Sequence, residues 1–255
     1  MTEDIFSRFD SLCAEFEKTM AQRDSDGIGT YNEKILHKVL KHALCNDPAC
    51  LEVKVGAYVA DVLWDGEIFE IQTGGFYPLV KKIEYFLENT EHKVTVVHPL
   101  ISELLLIRMD GETGEVIRKK RSPKKETPAS ILPELFYLRH IVNSERVRFL
   151  LPQISGEEYR FSERVRGRKS GAYDALFFPR RMIGLNEIRG VDGIRAALPA
   201  EIRTAESFDS AAFAKALKLR GRRLSLALKL LCDIGLVCRE KNGKKYIYYL
   251  TQVEN

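Results

Sequence analysis

Asp61 and Glu70 are the residues of this chain whose types and spacing most directly suggest chemistry. They flank Asp65-Gly66, a two-residue hairpin signal favoured because both turn positions accept positive φ. With that turn, cross-strand partners run Trp64 with Glu67, Leu63 with Ile68, Val62 with Phe69 and Asp61 with Glu70. Gln72, two residues on, projects to the same face because strand side chains alternate. The neighbours Val59, Ala60, Val62, Ile68, Phe69 and Ile71 are apolar, which places the hairpin inside a fold. Two opposed carboxylates in a partly buried sheet repel, and burial raises the cost of ionising both. A hard divalent cation, Mg²⁺ or Mn²⁺, compensates that charge and equips the site with a Lewis acid and an activated water. On this reading, removing one of two repelling acids does not harm folding.

The flanking sequence supplies elements to hold such a hairpin. Apolar residues at helical spacing predict an amphipathic helix over residues 4–22, ended by Asp24-Ser25-Asp26-Gly27, and a second from Tyr31 to Leu44. Leu51 to Val55, Ala57 to Trp64 and Glu67 to Gln72 read as strands, and Pro78 suits the first turn of a helix running to Asn89. Lys93 to Val97 is a buried strand. Leu104 to Met109 and Glu115 to Lys119 form a hairpin, and Leu132 to Val142 a helix. Residues 145–190 read as short strands and turns without a clear topology.

The order helix, three strands, helix, strand, with Asp61 and then Glu70-Ile71-Gln72 on its hairpin, resembles the PD-(D/E)XK (restriction-endonuclease-like) nuclease superfamily. Ala60 stands where the signature has Pro, and Gln72 where it usually has Lys, as in an E-x-Q variant. The likeness covers residues 30–98 and implies an α/β fold with a restriction-endonuclease-like core. It also implies metal-dependent hydrolysis of phosphodiester bonds. By position, Asp61, Glu70 and the Ile71 backbone carbonyl would hold the metal, and Gln72 would orient the attacking water. Glu33 matches an acid many members carry on the first helix. It equally fits a capping box over Thr30-Tyr31-Asn32-Glu33. Lys81, Lys82 or Lys54 could replace the missing lysine charge. His37 reads as a helix-face histidine.

Residues 208–250 carry a second pattern: a helix from Phe208, a turn at Gly221, a helix from Arg222 to Ile234, then Leu236 to Glu240 and Tyr246 to Leu250 about Asn242-Gly243. This resembles a winged-helix domain. The resemblance puts Arg222, Arg223 and Lys229 on a recognition helix and Lys241, Lys244 and Lys245 on a wing near phosphates. The same fold also serves for packing or protein contact. The expected domains are an N-terminal helix (1–29), a nuclease-like domain (30–145), a connecting region (146–195) and a winged-helix-like domain (196–255).

Composition is that of an ordinary globular protein, with 45% hydrophobic and 30% charged residues in 255. No apolar run is long enough to span a bilayer, which excludes a helical membrane anchor and suggests a cytoplasmic protein. Five cysteines at irregular spacing make a poor disulfide framework, and His42, Cys45 and Cys50 lack the tight second pair of a structural zinc site. Residues 1–70 carry 14 Asp and Glu against 7 Lys and Arg, a net of −7, so the rest must carry +11 to give the chain its +4. The basic charge gathers at Arg118-Lys119-Lys120-Arg121 with Lys124-Lys125, at 160–169, at Arg180-Arg181 and at 215–223. Such clusters attract polyanions, and the expected partner is nucleic acid, DNA ahead of RNA. A homodimer is compatible with this reading. A binding-only protein that keeps the nuclease fold is the alternative to an enzyme.

Overall fold

The computed structural model describes residues 2–21, 31–111, 113–162 and 175–251. The stop at residues 24–27, Thr30 of the capping box and the basic stretch after Ser162 lie outside the described residues, as does the side chain of Glu33.

The chain is mixed α/β. It begins with α1 (Thr2–Ala21) and α2 (Tyr31–Leu44), then β1 (Leu51–Val55), β2 (Tyr58–Trp64) and β3 (Glu67–Ile71). A 3₁₀ turn at Tyr77–Leu79 leads into α3 (Val80–Asn89), followed by β4 (Lys93–Val97), β5 (Leu100–Asp110) and β6 (Val116–Arg121). The expected helix over 132–142 is broken. Only α4 (Leu132–Leu135) is α-helical, between 3₁₀ turns at Pro128–Ile131 and Phe136–Leu138. Residues 145–190, expected as short strands, instead hold two long ones, β7 (Val147–Ser162) and β8 (Ala175–Ile188). Then come α5 (Gly190–Ala197), α6 (Ala200–Arg203), β9 (Phe208–Asp209), α7 (Ser210–Leu217), α8 (Gly221–Asp233), β10 (Val237–Asn242) and β11 (Lys245–Leu250). Phe208 thus opens a short strand rather than a helix, and Gly221 starts α8.

Among the described residues the main sheet runs β1-β2-β3-β4-β7-β5-β6, with β8 on the other edge of β7. β1, β2 and β3 form an antiparallel meander, whereas β4 lies parallel to both β3 and β7. β7 is the spine. Its first residues pair β4 and the remainder pairs β5, so β4 and β5 follow one another along a single edge. Far from being a connection, Val147–Ser162 sits in the middle of the sheet and Ala175–Ile188 lines the other edge of that strand.

Each sheet face has its own core. Val62, Phe69, Ile71, Val97, Leu150 and Ile154 pack under α1 and α2, with Phe9, Val39 and Leu40 fully buried. Ile68, Val94, Val96, Phe149 and Leu151 pack on the opposite face with α3, α4 and the C-terminal helices, down to Phe213 and Leu230 in one continuous cluster. The second face fixes the position of α3. Arg146 donates to the carbonyls of Thr90 and Leu87 at the end of that helix, satisfying acceptors no further turn would meet. Tyr85 reaches from α3 to the β1–β2 turn, where its hydroxyl accepts from Ala57 N at 3.1 Å. Gly56 is required there: its φ is +58° and a Cβ would stand 2.1 Å from the Tyr85 hydroxyl.

Candidate active site

β2 and β3 pair as expected at Trp64↔Glu67, Leu63↔Ile68 and Val62↔Phe69. The ladder then stops. In place of a β2 carbonyl, the Asp61 side chain takes over, its Oδ2 accepting from the Ile71 amide at 2.8 Å. Asp61 is therefore a structural acceptor as well as an acid, so the expectation that one of the two acids can be removed without harm to the fold stays with Glu70. Ile71 is 3% exposed, and without Asp61 its N–H would be buried and unpaired. The N–H and C=O of one strand residue face the same edge, so the Ile71 carbonyl opens towards Asp61. Gln72 turns the other way, its N–H donating to Val97 O at 2.9 Å and its carbonyl accepting from His98 Nδ1 at 2.6 Å.

Glu70 is 1% exposed. Lys82, from α3, donates to its Oε2 at 2.5 Å, while Oε1 is buried with no hydrogen-bond partner among the described residues. Of the three lysines considered as replacement charges, Lys82 is the one paired with Glu70, and Lys54 and Lys81 are exposed. On the other side of Asp61, α2 contributes His37, with Nε2 3.3 Å from Oδ1, and Lys41, with Nζ 4.0 Å from Oδ1 and 2.8 Å from Glu52. The compensation that sequence reasoning assigns to a metal is thus partly supplied by three basic side chains. His37 and Lys41, four residues apart, share one helix face aimed at the hairpin. That spacing is the signal by which His37, expected only as a helix-face histidine, could have been placed at the site.

The two acids end at opposite ends of the carboxylate range. Burial and then the Asp61 charge push Glu70 up to about 7, against the opposing pull of Lys82. Burial also pushes Asp61 upward, but the His37 hydrogen bond, the Ile71 amide and the His37 and Lys82 charges outweigh it, so its carboxyl titrates below the ordinary aspartate value. Burial holds the His98 imidazole below its usual value despite its bond to Gln72 O.

A cleft of about 780 Å³ opens over the Asp61 side of this seam, with His37, Lys38, Lys41 and His42 on its α2 wall and Asp61, Ile71, Gln72 and Thr73 at its base, while Glu70 lies buried behind it and does not line it. The Gln72 amide donates to Gly75 O at 2.8 Å, tying it into the turn after β3. Among the described residues no cluster of three or more His, Cys, Asp or Glu side chains could hold a metal. The hairpin offers two carboxylates and one backbone carbonyl instead. That all-oxygen set is of the kind a hard cation would take, with Glu70 Oε1 buried and without a hydrogen-bond partner among the described residues and Asp61 held in place by the Ile71 amide.

The C-terminal basic residues divide into two groups. On α8, Arg222 reaches the Tyr137 hydroxyl at 3.4 Å, and Arg223 reaches Ser130 O at 3.1 Å and Glu134 at 3.9 Å. Lys229 lies 5.3 Å from the centroid of Phe136. This helix is turned towards the segment around α4 rather than standing clear of the sheet. Arg223 also lies near the base of the site: Glu134 meets the Phe76 amide at 3.4 Å, and both Glu134 and Arg223 act electrostatically on His98. Lys241, Lys244 and Lys245, in contrast, are exposed on the β10–β11 hairpin, with Lys245 3.7 Å from Asp209.

The profile of the family described as Domain of unknown function (DUF8091) matches residues 34–186. The chain belongs to that family. The match takes in the hairpin, α3 and β4 to β7, and ends ahead of α5. A curated relative from Treponema pallidum (strain Nichols), described as an uncharacterized protein, is 32% identical over 138 residues, 54% of either chain. The chain thus spans about half the length of that relative. No solved structure matches. No described helix is long and apolar enough to cross a membrane.

Proposed function

We propose that this protein is a Mg²⁺- or Mn²⁺-dependent nuclease of the PD-(D/E)XK type that hydrolyses phosphodiester bonds in DNA. The observation that carries the reading is the buried, unpartnered Glu70 Oε1 beside an Asp61 fixed by its own strand's neighbour. The order β1-β2-β3-β4 with helices on both faces is the architecture such a site needs. Asp61, Glu70 Oε1 and the Ile71 carbonyl would hold the cation, which when bound supplies a Lewis acid and lowers the pKa of a water. Lys82, held on Glu70 Oε2, brings to the site the positive charge that Gln72 cannot. His37, Lys38 and Lys41 on the cleft wall would receive the phosphodiester. β9, α7, α8 and the β10–β11 hairpin have the order of a winged helix, and the exposed Lys241, Lys244 and Lys245 suit backbone phosphates.

The test is cleavage of linear, nicked, single-stranded and branched DNA, and of RNA, with Mg²⁺ or Mn²⁺. Wild type is expected to cut DNA, and Glu70→Ala to fall to background while keeping its circular dichroism spectrum. Cleavage persisting in Glu70→Ala would place the chemistry elsewhere. A second reading, a DNA-binding protein without cleavage, draws on Lys82 already neutralising Glu70 and on the Gln72 amide being tied to Gly75. Metal binding measured by calorimetry with DNA binding and no cut in any substrate would select it.

A further inference from the structure

Beyond β4 the sheet extends as an arm built from β5, β6 and the far half of β7 with β8 along its other edge, and three of its arginines align across the strands. Arg118 on β6 pairs with Arg108 on β5, which pairs in turn with Arg160 on β7. Three arginines therefore stand in one row across three adjacent strands, and all three are exposed. Lys120 lies two residues along β6 from Arg118, and the four side chains line a shallow cavity of about 210 Å³ floored by Leu106 and Ile107. Glu158 pairs with Arg160 and offsets that charge, and Arg108 is engaged within the protein as well, which leaves Arg118 on the edge strand as the most open of the three. Like charges directly opposite on a sheet are destabilising, so the row costs the fold something that an anion spanning it would offset.

We infer that this row is a phosphate-binding surface for the backbone of duplex DNA, set one helical turn away from the candidate active site. The spacing follows from the spine strand. β4 Val97 pairs with Leu150 beside Ile71, and Arg108 pairs with Arg160. Ten residues of continuous strand separate Leu150 from Arg160, roughly 33 Å at about 3.3 Å per residue. One turn of B-form DNA is about 34–36 Å. The seam and the row are therefore about one turn apart along the strand direction, with α1 and α2 covering Leu150 and Ile154 between them, so a duplex that reaches both passes outside those helices. This inference rests on the nuclease reading for the position of the cut and on the arm alone for the binding.

The experiment is fluorescence anisotropy of the full chain in EDTA with DNA duplexes of about one turn and about three turns, across a salt series. The expected result is that Arg108→Glu/Arg118→Glu/Arg160→Glu weakens binding to the longer duplex at least tenfold. Its log–log salt slope should fall by about 0.9 for each phosphate that is no longer neutralised, about two to three units in all. The short duplex should change far less, and the triple lysine replacement should keep most of the affinity. If the triple reversal does not fold, Arg118→Glu on the edge strand alone should remove about one unit of slope. Unchanged affinity and slope in a folded variant would overturn the inference while leaving cleavage untouched. Row-dependent binding without cleavage would keep the inference and remove the nuclease reading. Equal row-dependent affinity for an A-form RNA duplex would overturn the assignment to DNA, as would the absence of wild-type binding to either duplex at low salt.

Discussion

The cations around the β2–β3 seam and those on the β5–β6–β7 arm are of the same kind but meet opposite neighbours. At the seam Lys82 faces Glu70 and Lys41 faces Asp61, which the His37 imidazole also reaches. On the arm, Arg118, Arg108 and Arg160 face one another across the ladder. A charge count along the sequence ranks the arm and the 215–223 stretch as basic and the first 70 residues as acidic, and sees neither arrangement. What separates a cation that stabilises the fold from one kept for a ligand is the charge opposite it. Losing Lys82 at the seam should cost stability, whereas losing Arg118 on the edge strand of the arm should not.

Lys82→Met is expected to break that contrast most visibly. It strips the countercharge from a nearly inaccessible carboxylate, and breaking one side of such a pair costs about 3–5 kcal/mol when the remaining charge cannot be relieved. Glu70 relieves it by taking a proton. A carboxyl raised to about 7 contributes stability that is complete below the ordinary glutamate value and is lost as pH rises through about 7. Urea unfolding of the metal-free variant should therefore show a loss of about 2–4 kcal/mol at pH 8 and a much smaller one at pH 5. An equal loss at both values would mean that Lys82 acts through packing alone.

Asp61 gives the next largest effect. Asp61→Ala leaves the Ile71 amide without an acceptor and should cost about 1–3 kcal/mol, while Asp61→Asn keeps an acceptor oxygen and should cost clearly less. Both should abolish Mg²⁺ binding by calorimetry. If alanine and asparagine are equally destabilising, the Ile71 bond is not what holds the seam. Glu70→Gln sharpens the pH argument, since it removes the titrating group: the decline in stability between about pH 5 and 8 should flatten relative to wild type. An unchanged slope would assign that titration to another group. The smallest effect belongs to the arm, where Arg118→Thr should leave stability unchanged or raise it by about 0.2–0.5 kcal/mol. A loss exceeding about 1 kcal/mol would show the row to be structural.

Much of the site is readable from residue order because its determinants are local. The Asp65-Gly66 turn fixes the hairpin register, and a one-residue slip would expose Val62 and Phe69, which are buried. β1, β3 and β4 lie within a residue of their expected bounds, and α2 coincides with them. The departures have non-local causes. The β7–β8 pair is unreadable because the apolar alternation of β7 is interrupted at Pro152 and β8 carries two extra residues, Ile183 and Arg180, opposite Gln153/Ile154 and Ser155/Gly156. Pro152 sits between the residues that pair β4 and those that pair β5, where a missing N–H costs little. The helix predicted over 132–142 fails because Pro128 and Pro133 favour tight first turns and the chain resolves into short pieces. α8 reads on its own as a surface recognition helix. Only tertiary packing reveals that Arg222, Arg223 and Lys229 reach towards Tyr137, Ser130 and Phe136.

The substitution of a carboxylate for a carbonyl at the end of the β2–β3 ladder has a spectroscopic meaning. The Ile71 proton donates to a group whose charge changes with pH and with whatever occupies the cleft. Its amide resonance is therefore a built-in reporter: protonating Asp61, or drawing its electrons towards a cation, weakens the acceptor and moves the proton upfield. The neighbouring Gln72 amide donates to a peptide oxygen of Val97 and stays put as an internal reference. Two adjacent backbone signals, one responsive and one silent, thus read the charge state of the seam without any label.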